Sequence, residues 1–581
     1  MPGPPDHDVP APVGPELPHS QGSKSSQSSP LRKASTRGPI DRLYSAQHLD
    51  DHSLYHGGYH DDHDEGESEY EEESLRSLEG EGLKEVREGI PDEKDLEAPP
   101  ISRKSTSKSK KDPNLVTWDG PDDPQNPKNW KLRSKWAATL VISSFTFISP
   151  VSSSMVAPAL VSISSDLNIT NQVESQIVLS IFVLAYAIGP LFLGPLSEIY
   201  GRVPVLQLAN LFYLVFNLAC GFAQNKAEMI VFRFLSGLGG SAPLAVGGGA
   251  LGDCWRADER GRAIAVYSLA PLLGPAIGPI AGGFITEKTT WRWAFYATSI
   301  ADAVIQVTGL FLLRETYPPT LLQRKARKLR KETGNTELRT EFDHPERSLA
   351  NTMKRSIIRP FRLLGTQPIV QVLAVYMAYL YGLMYLVLST FPPLWTDNYH
   401  ENLGIGGLNY ISLGLGFFLG SQVCAPLNDR IYRWFRARNN GEGKPEFRVP
   451  IMNAGSILVP VGLFIYGWTA QYKVHWIGPN IGAAVFAMGM IIGFQCIQTY
   501  LVDAYTRYAA SAVAASTVLR SLAGFGFPLF APYMYAKLNY GWGNSLLGFI
   551  AIALGIPAPL LLWTFGQRLR ERSKFAAGGY D

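Results

Sequence analysis

Three ionisable residues stand inside apolar stretches of this chain, where charge is costly. Arg233 lies in "VFRFLSGLGGSAPLAVGGG", Asp302 in "TSIADAVIQV" and Arg520 in "STVLRSLAG". A charged side chain at the centre of a bilayer costs about 2.5–3.5 kcal/mol or more, so each should face a protein interior or water. Arg233 can serve as a fixed interior cation or as a hydrogen-bond anchor. Asp302 can be a protonatable relay or a polar residue paired with another helix. Arg520 and Asp503 are candidates for an interior charge pair.

A second set of charges sits at the ends of apolar segments. "GPLSEIYGR" (Gly194 to Arg202) and "APLNDRIYR" (Ala425 to Arg433) share Pro-Leu, a small polar residue, an acid (Glu198, Asp429) and a final Arg. The two acids are 231 residues apart, each following the second apolar segment of its half. Gly194 lets helices approach and Gly201 permits a sharp turn. Glu198 and Arg202 can then form an ion network against neighbouring helix ends. Asp253 is placed to join it through Arg202 or Arg256.

These residues are carried by twelve apolar segments of about 20 residues, the length that crosses a bilayer. They begin near Trp136, Glu174, Val203, Ala227, Gly261 and Trp293, then near Pro368, Gly406, Val449, Trp476, Ser511 and Gly543. The runs are continuous and not alternating, which excludes a β-barrel and leaves helices. The formal net charge of +3 averages two unlike polymers. Residues 1–130 lack the apolar density to offset ordering entropy and are expected to be a disordered tail. Its "DDHSLYHGGYHDDHDEGESEYEEES" reads as solvated and acidic, with no fixed metal-ligand spacing, and "SRKSTSKSKK" as a basic spacer or phosphorylation target. No apolar core marks a cleavable signal peptide at the N-terminus, so the first span should serve for targeting. Cys220, Cys254, Cys424 and Cys496 are scattered in apolar surroundings, as small buried hydrophobes are.

Charge predicts orientation. Arg202, Arg256, Arg260 and Arg262, the basic segment from Arg314 to Arg362, Arg430 to Arg448, Arg507, and Arg568 to Lys574 fall on one side. The positive-inside rule makes that side cytoplasmic, with both termini. The expected organisation is a tail over 1–130, six spans over 131–313, a basic linker over 314–367, six spans over 368–567 and a short tail over 568–581. "LLQRKARKLRKETG" in the linker reads as a basic helix, on the membrane face or solvated. Asn168 heads a glycosylation sequon in the first outside loop, close to the membrane.

The fifth span, "SLAPLLGPAIGPIAGGFI", holds Ala270, Gly274, Gly278 and Gly282 at intervals of four, one small-residue face for close helix packing. Pro275 and Pro279 lie one step round and can bend it. Gly247, Gly249 and Gly252 satisfy G-x-G-x-x-G, but inside a membrane helix they serve packing and not dinucleotide binding. Tyr381 and Tyr385 share one face of the seventh span, and Gln495 and Gln498 sit on the tenth. Such a lining suits bulky, amphipathic or cationic compounds.

Two six-helix halves with repeated loops resemble the major facilitator superfamily. "GPLSEIYGRVPV" is similar to that superfamily's G-x-L-[AS]-D-x-x-G-R-[KR] signature, departing at Glu198 and Val203. "TWDGPDDPQNPKNW", "SAPLAVGGG", "WRWAFY", "ETYPPTLLQRKARKLRKETGN" and "GWGNSLL" resemble fungal drug:proton antiporters with twelve spans. Gly274, Gly278, Pro279, Gly282 and Gly283 fill the G-x-x-x-G-P-x-x-G-G motif that marks antiporters within the superfamily. The resemblance implies an all-α membrane protein with twelve transmembrane helices in two pseudo-symmetric six-helix bundles. It implies a non-enzymatic exporter of drugs, toxins or other small amphipathic compounds, driven by a proton gradient without a cofactor. Its partners would be a small-molecule substrate, protons and lipid but no nucleic acid, and the chain a monomer in the plasma or vacuolar membrane. Arg233, four residues before Gly237, matches the superfamily's proton-coupling arginine. A dedicated exporter of one metabolite, organic acid or polyamine stays open, as does a transporter-like sensor.

Overall fold

The computed structural model describes residues 112, 114–256, 259–343 and 349–576. The acidic and Ser-rich tail motifs lie outside them. Six helical spans run over Leu132–Ser154, Gln172–Tyr200, Arg202–Phe222, Lys226–Cys254, Arg260–Lys288 and Arg292–Leu312. After a linker come Pro368–Asn398, Leu403–Arg438, Pro445–Gln471 and Ile477–Ala504. The remaining length is one helical run over Ala509–Gly555, continued by Pro557–Glu571. Asn539 interrupts that run at φ 55°, ψ −179°, a conformation no helix contains. The break makes two spans of the run, so the count is twelve.

Span six shows why these helices belong in lipid. Ile300, Val304, Val307, Leu310 and Phe311 are exposed along one face, while Asp302, Gln306 and Gly309 are buried on the other. This is the inverse of a soluble helix: the polar side faces protein, and the apolar side needs a hydrocarbon solvent.

The small-residue face of span five does its packing within the first half. A Cβ on Gly274 would meet Pro150 at 2.5 Å, and one on Gly278 would meet the Val151 carbonyl at 2.6 Å. Gly282 seats on Met155, so spans one and five touch backbone to backbone. Contact with the second half falls one step round. A Cβ on Gly283 would meet the Leu403 carbonyl at 2.6 Å, Ala276 lies against Gly414, and the Glu287 carboxylate accepts from the Gly404 amide at 2.8 Å. Contact with the second half is therefore made by a different stripe of the same helix.

The tail boundary at 130 needs correction. Residues 114–130 are ordered against the linker: Leu115–Val116 pairs in parallel with Arg339–Thr340. Lys325 on the linker helix Pro318–Thr333 bridges Asp119 at 2.6 Å and Asp123 at 3.6 Å. Burial opposes ionisation of Asp123, but amide donors from Asp119 and Gln125 and the Lys325 ammonium outweigh it, so its carboxyl lies below the usual range. The basic linker helix hides Leu322 and Ala326 beneath its cations, and a second linker helix runs over Leu349–Thr366. We call the side carrying these elements the linker face.

Candidate functional site

The fold collects the predicted charges into a central site, a carboxyl cluster between spans three and six, and two networks on the linker face. Arg233 is fully buried in the central region. Its guanidinium donates to the carbonyls of Ser152 (3.2 Å), Ser153 (3.3 Å), Val178 (3.3 Å) and Leu179 (3.4 Å). Span one ends at Ser154, so the carbonyls of its last turn have lost their helical donors, and the arginine takes their place. Phe182 and Phe295 cover it, with the guanidinium carbon 4.6 and 5.8 Å from their ring centroids. No carboxylate pairs with it among the described residues.

The two halves meet beside this cation. The Ser153 hydroxyl lies 3.1 Å from the Tyr385 hydroxyl across the interface. Tyr381 and Tyr385 have ring centroids 5.2 Å apart, and the Arg520 guanidinium lies 5.1 Å from the Tyr381 ring and 5.0 Å from the Phe494 ring. Tyr186 on span two adds a hydroxyl bonded to Ser149 at 2.5 Å. The shared face of Tyr381 and Tyr385 therefore looks toward the first half. Tyr376 and Tyr379 turn into the second bundle, onto Ser456 and the Leu547 carbonyl. Gln495 is drawn into the same bundle, donating to Ser421 at 2.8 Å, while Gln498 stays partly exposed without a bond among the described residues.

Asp302 is fully buried and accepts from the Asn210 amide at 3.1 Å on both oxygens. Gln306 shares that amide at 2.8 Å and donates to the Gln207 carbonyl. The carboxyl is thus paired with another helix through an amide, with no cation bonded to it among the described residues.

On the linker face, Arg202 bonds Asp253 at 3.3 Å and Ser197 at 2.9 Å. Glu198 is not in this network: it is exposed, at the rim of a cleft of about 780 Å³ lined also by Tyr200, Gln323 and Arg327. The acid that completes it is Glu315, beyond span six. Its carboxylate caps the start of span three by accepting from the Arg202 amide at 2.9 Å. Gly201, at φ 103°, is required there, because a Cβ would collide with the Glu315 carboxylate. Arg256 turns instead to Asn129 at 2.8 Å.

In the second half, Arg448 bridges Asp429 and Asp503, each at 2.9 Å. Asp503 is therefore not the partner of Arg520. Arg570, in the last turn of span twelve, bonds Glu446 at 3.3 Å. Sequence reasoning left Glu315, Arg448, Glu446 and Asn210 without a role. A signal for Arg448 existed, since it lies in the first turn of span nine just as Arg202 opens span three. Asn168 lies exposed in the loop before span two. Gly247 abuts Tyr267 and Gly249 abuts Arg202, as packing glycines would. All four cysteines are buried and free of disulfides, with the Cys424 and Cys496 sulfurs 3.9 Å apart.

Comparisons with known proteins agree with this geometry. The family model described as Major Facilitator Superfamily matches residues 142–528. Efflux pump vrtL of Penicillium aethiopicum is 54% identical over 84% of this chain and 98% of its own length. Efflux pump radE of Floropilus chiversii is 47% identical over 80% of this chain and 86% of its own. The solved xylose transporter XylE of E. coli, in a partially occluded inward open conformation, shares the fold with a TM-score of 0.55 at 16% identity. That match covers 74% of this chain and 98% of the other.

Proposed function

The chain belongs to the major facilitator superfamily and is a multi-pass membrane transporter that exports compounds, and from that premise we propose a proton-driven antiporter of small amphipathic organic molecules. The linker face is cytoplasmic, the membrane is the plasma membrane, and the working unit is one chain. Two six-helix bundles rock about the central site, and the stripe of Gly283 and Ala276 slides on span eight.

The observation that carries this reading is the arrangement of buried charge in the first half. Asp302 is the one mid-span carboxyl among the described residues, and it has amide donors but no cation. A mid-span carboxyl with amide donors and no cation is the kind of group that can take up and release a proton during transport. Arg233 keeps its charge through four carbonyls and ties the end of span one to spans two and four. Loss of the proton would recruit a new donor to Asp302 and shift spans three and six, whose neighbours carry the Arg233 lattice.

Proteoliposomes with an imposed pH gradient test the reading. Uptake of candidate compounds into vesicles acidic inside should follow the gradient. Asp302→Asn should abolish the gradient dependence and retain gradient-free exchange. If the gradient moves no compound that the protein exchanges, the antiport reading fails.

A further inference from the structure

The guanidinium of Arg520 is unlike the other buried cations of the molecule. Arg233 has four carbonyl acceptors, and Arg202 and Arg448 have carboxylates. Arg520 has neither. Its Nε is covered and without a hydrogen-bond partner, and no hydrogen bond from its terminal nitrogens occurs among the described residues. The side chain is nevertheless partly accessible, so its donor fork faces open space at the junction of the halves. Tyr381 and Phe494 flank it at about equal distance, 5.1 and 5.0 Å, which fixes the guanidinium in an aromatic slot. Such a fork, unpaired and partly desolvated, matches a planar pair of acceptor oxygens.

The surroundings give the sign of the ligand. The central region carries the cations Arg233 and Arg520, and its one mid-span acid, Asp302, is turned away onto Asn210. Among the described residues no carboxylate stands beside the slot to neutralise an incoming ammonium. The polar groups beside the slot are hydroxyls: Tyr385 bonded to Ser153, and Tyr186 bonded to Ser149.

We propose that Arg520 is a substrate-binding residue, and that the exported compounds carry an acidic oxygen pair, a carboxylate or its ionised enol equivalent, on a planar apolar skeleton. The skeleton lies against Tyr381 and Phe494, and the oxygens accept from the Arg520 fork. This narrows the range suggested by aromatic content alone, since polyamines and other cations without an acid are disfavoured. It rests on the exporter reading for direction of transport, but binding itself needs no gradient.

The test uses purified full-length protein in nanodiscs and three fluorescent probes of one shape: pyrenebutyrate, its methyl ester and pyrenemethylammonium. The acid should bind at least about tenfold more tightly than the other two, as expected for charge-assisted hydrogen bonds. Arg520→Gln should lower acid affinity about 10–100-fold and leave the ester unchanged. Arg520→Lys keeps the charge but loses the fork, so it should recover only part of the affinity, which separates recognition from misfolding. Equal binding of the three probes, binding of none, or an acid preference that survives Arg520→Gln overturns the proposal. Acid binding that depends on Arg520, with no pH-driven movement in vesicles, would sink the antiporter reading alone. Gradient-driven movement of the ester or ammonium, with the acid ignored, would sink this inference alone.

Discussion

The two halves of the molecule solve one problem with different charges. On the linker face, each must tie the start of its third helix to the ends of its fourth and sixth. In the first half Arg202 meets Asp253, and Glu315 caps the same turn. In the second half Arg448 meets Asp503, while the neighbouring tie is Arg570 to Glu446. The group that the sixth helix supplies has thus exchanged sign: an acid after span six accepts from a backbone amide in one half, and a base in the last turn of span twelve donates to an acid in the other. The repeated acids differ more. Asp429 shares Arg448 with Asp503, whereas Glu198 points away from Arg202. Placement of a joint can be kept through a repeat while its chemistry drifts, because only the sum of charges at the joint must be satisfied.

The comparison can be broken most forcefully at Arg448. Arg448→Gln leaves Asp429 and Asp503 facing each other with no cation between them. Removing one partner of a buried ion pair costs about 3–5 kcal/mol, and because these three groups are half-buried, thermal unfolding in nanodiscs should read the lower part of that range. Next comes the exchanged tie. Glu446→Arg sets two cations together, with an expected loss of about 3 kcal/mol, and adding Arg570→Glu should recover more than half of it. If the double variant is no better than the single, the tie is not a sign-reversible pair. Arg202→Gln orphans only Asp253, and its Glu315 contact runs through the backbone amide that the variant keeps, so about 2 kcal/mol is expected. The smallest effects sharpen the contrast between the repeats. Asp429→Asn should cost about 1 kcal/mol and Glu198→Gln less than about 0.5 kcal/mol, and equal losses would contradict the placement of Glu198.

Legibility differed between kinds of residue. Span number was readable because apolar length is set by the bilayer and not by neighbours. Even so, the last two spans are parted by one residue, Asn539, with no loop between them. The packing role of Gly274, Gly278 and Gly282 was readable from spacing, but not which helix they meet, and they meet span one. That Tyr381 and Tyr385 share one face was readable for the same periodic reason. Pairings were not: Asp302 with Asn210, and Asp503 with Arg448 in place of Arg520, join residues far apart in the chain. The ordered segment over 114–130 was missed because its contacts are made with residues far along the chain, Leu115–Val116 with the linker and Asn129 with Arg256.

By itself the sequence determined the class of molecule: hydropathy, charge bias and a repeated loop are local properties, and a bilayer acts on each segment almost independently. It also determined that Arg233, Asp302 and Arg520 would need interior partners, since the cost of a charge in hydrocarbon does not depend on fold. Which partners they have was decided only by the tertiary structure. Packing gave Arg233 the frayed end of span one and Asp302 an amide, and it left Arg520 between two aromatic rings with its donors unused. The physical reason is range: burial is felt along a single helix, whereas a hydrogen bond forms only within about 3 Å, at a position that several helices must fix together.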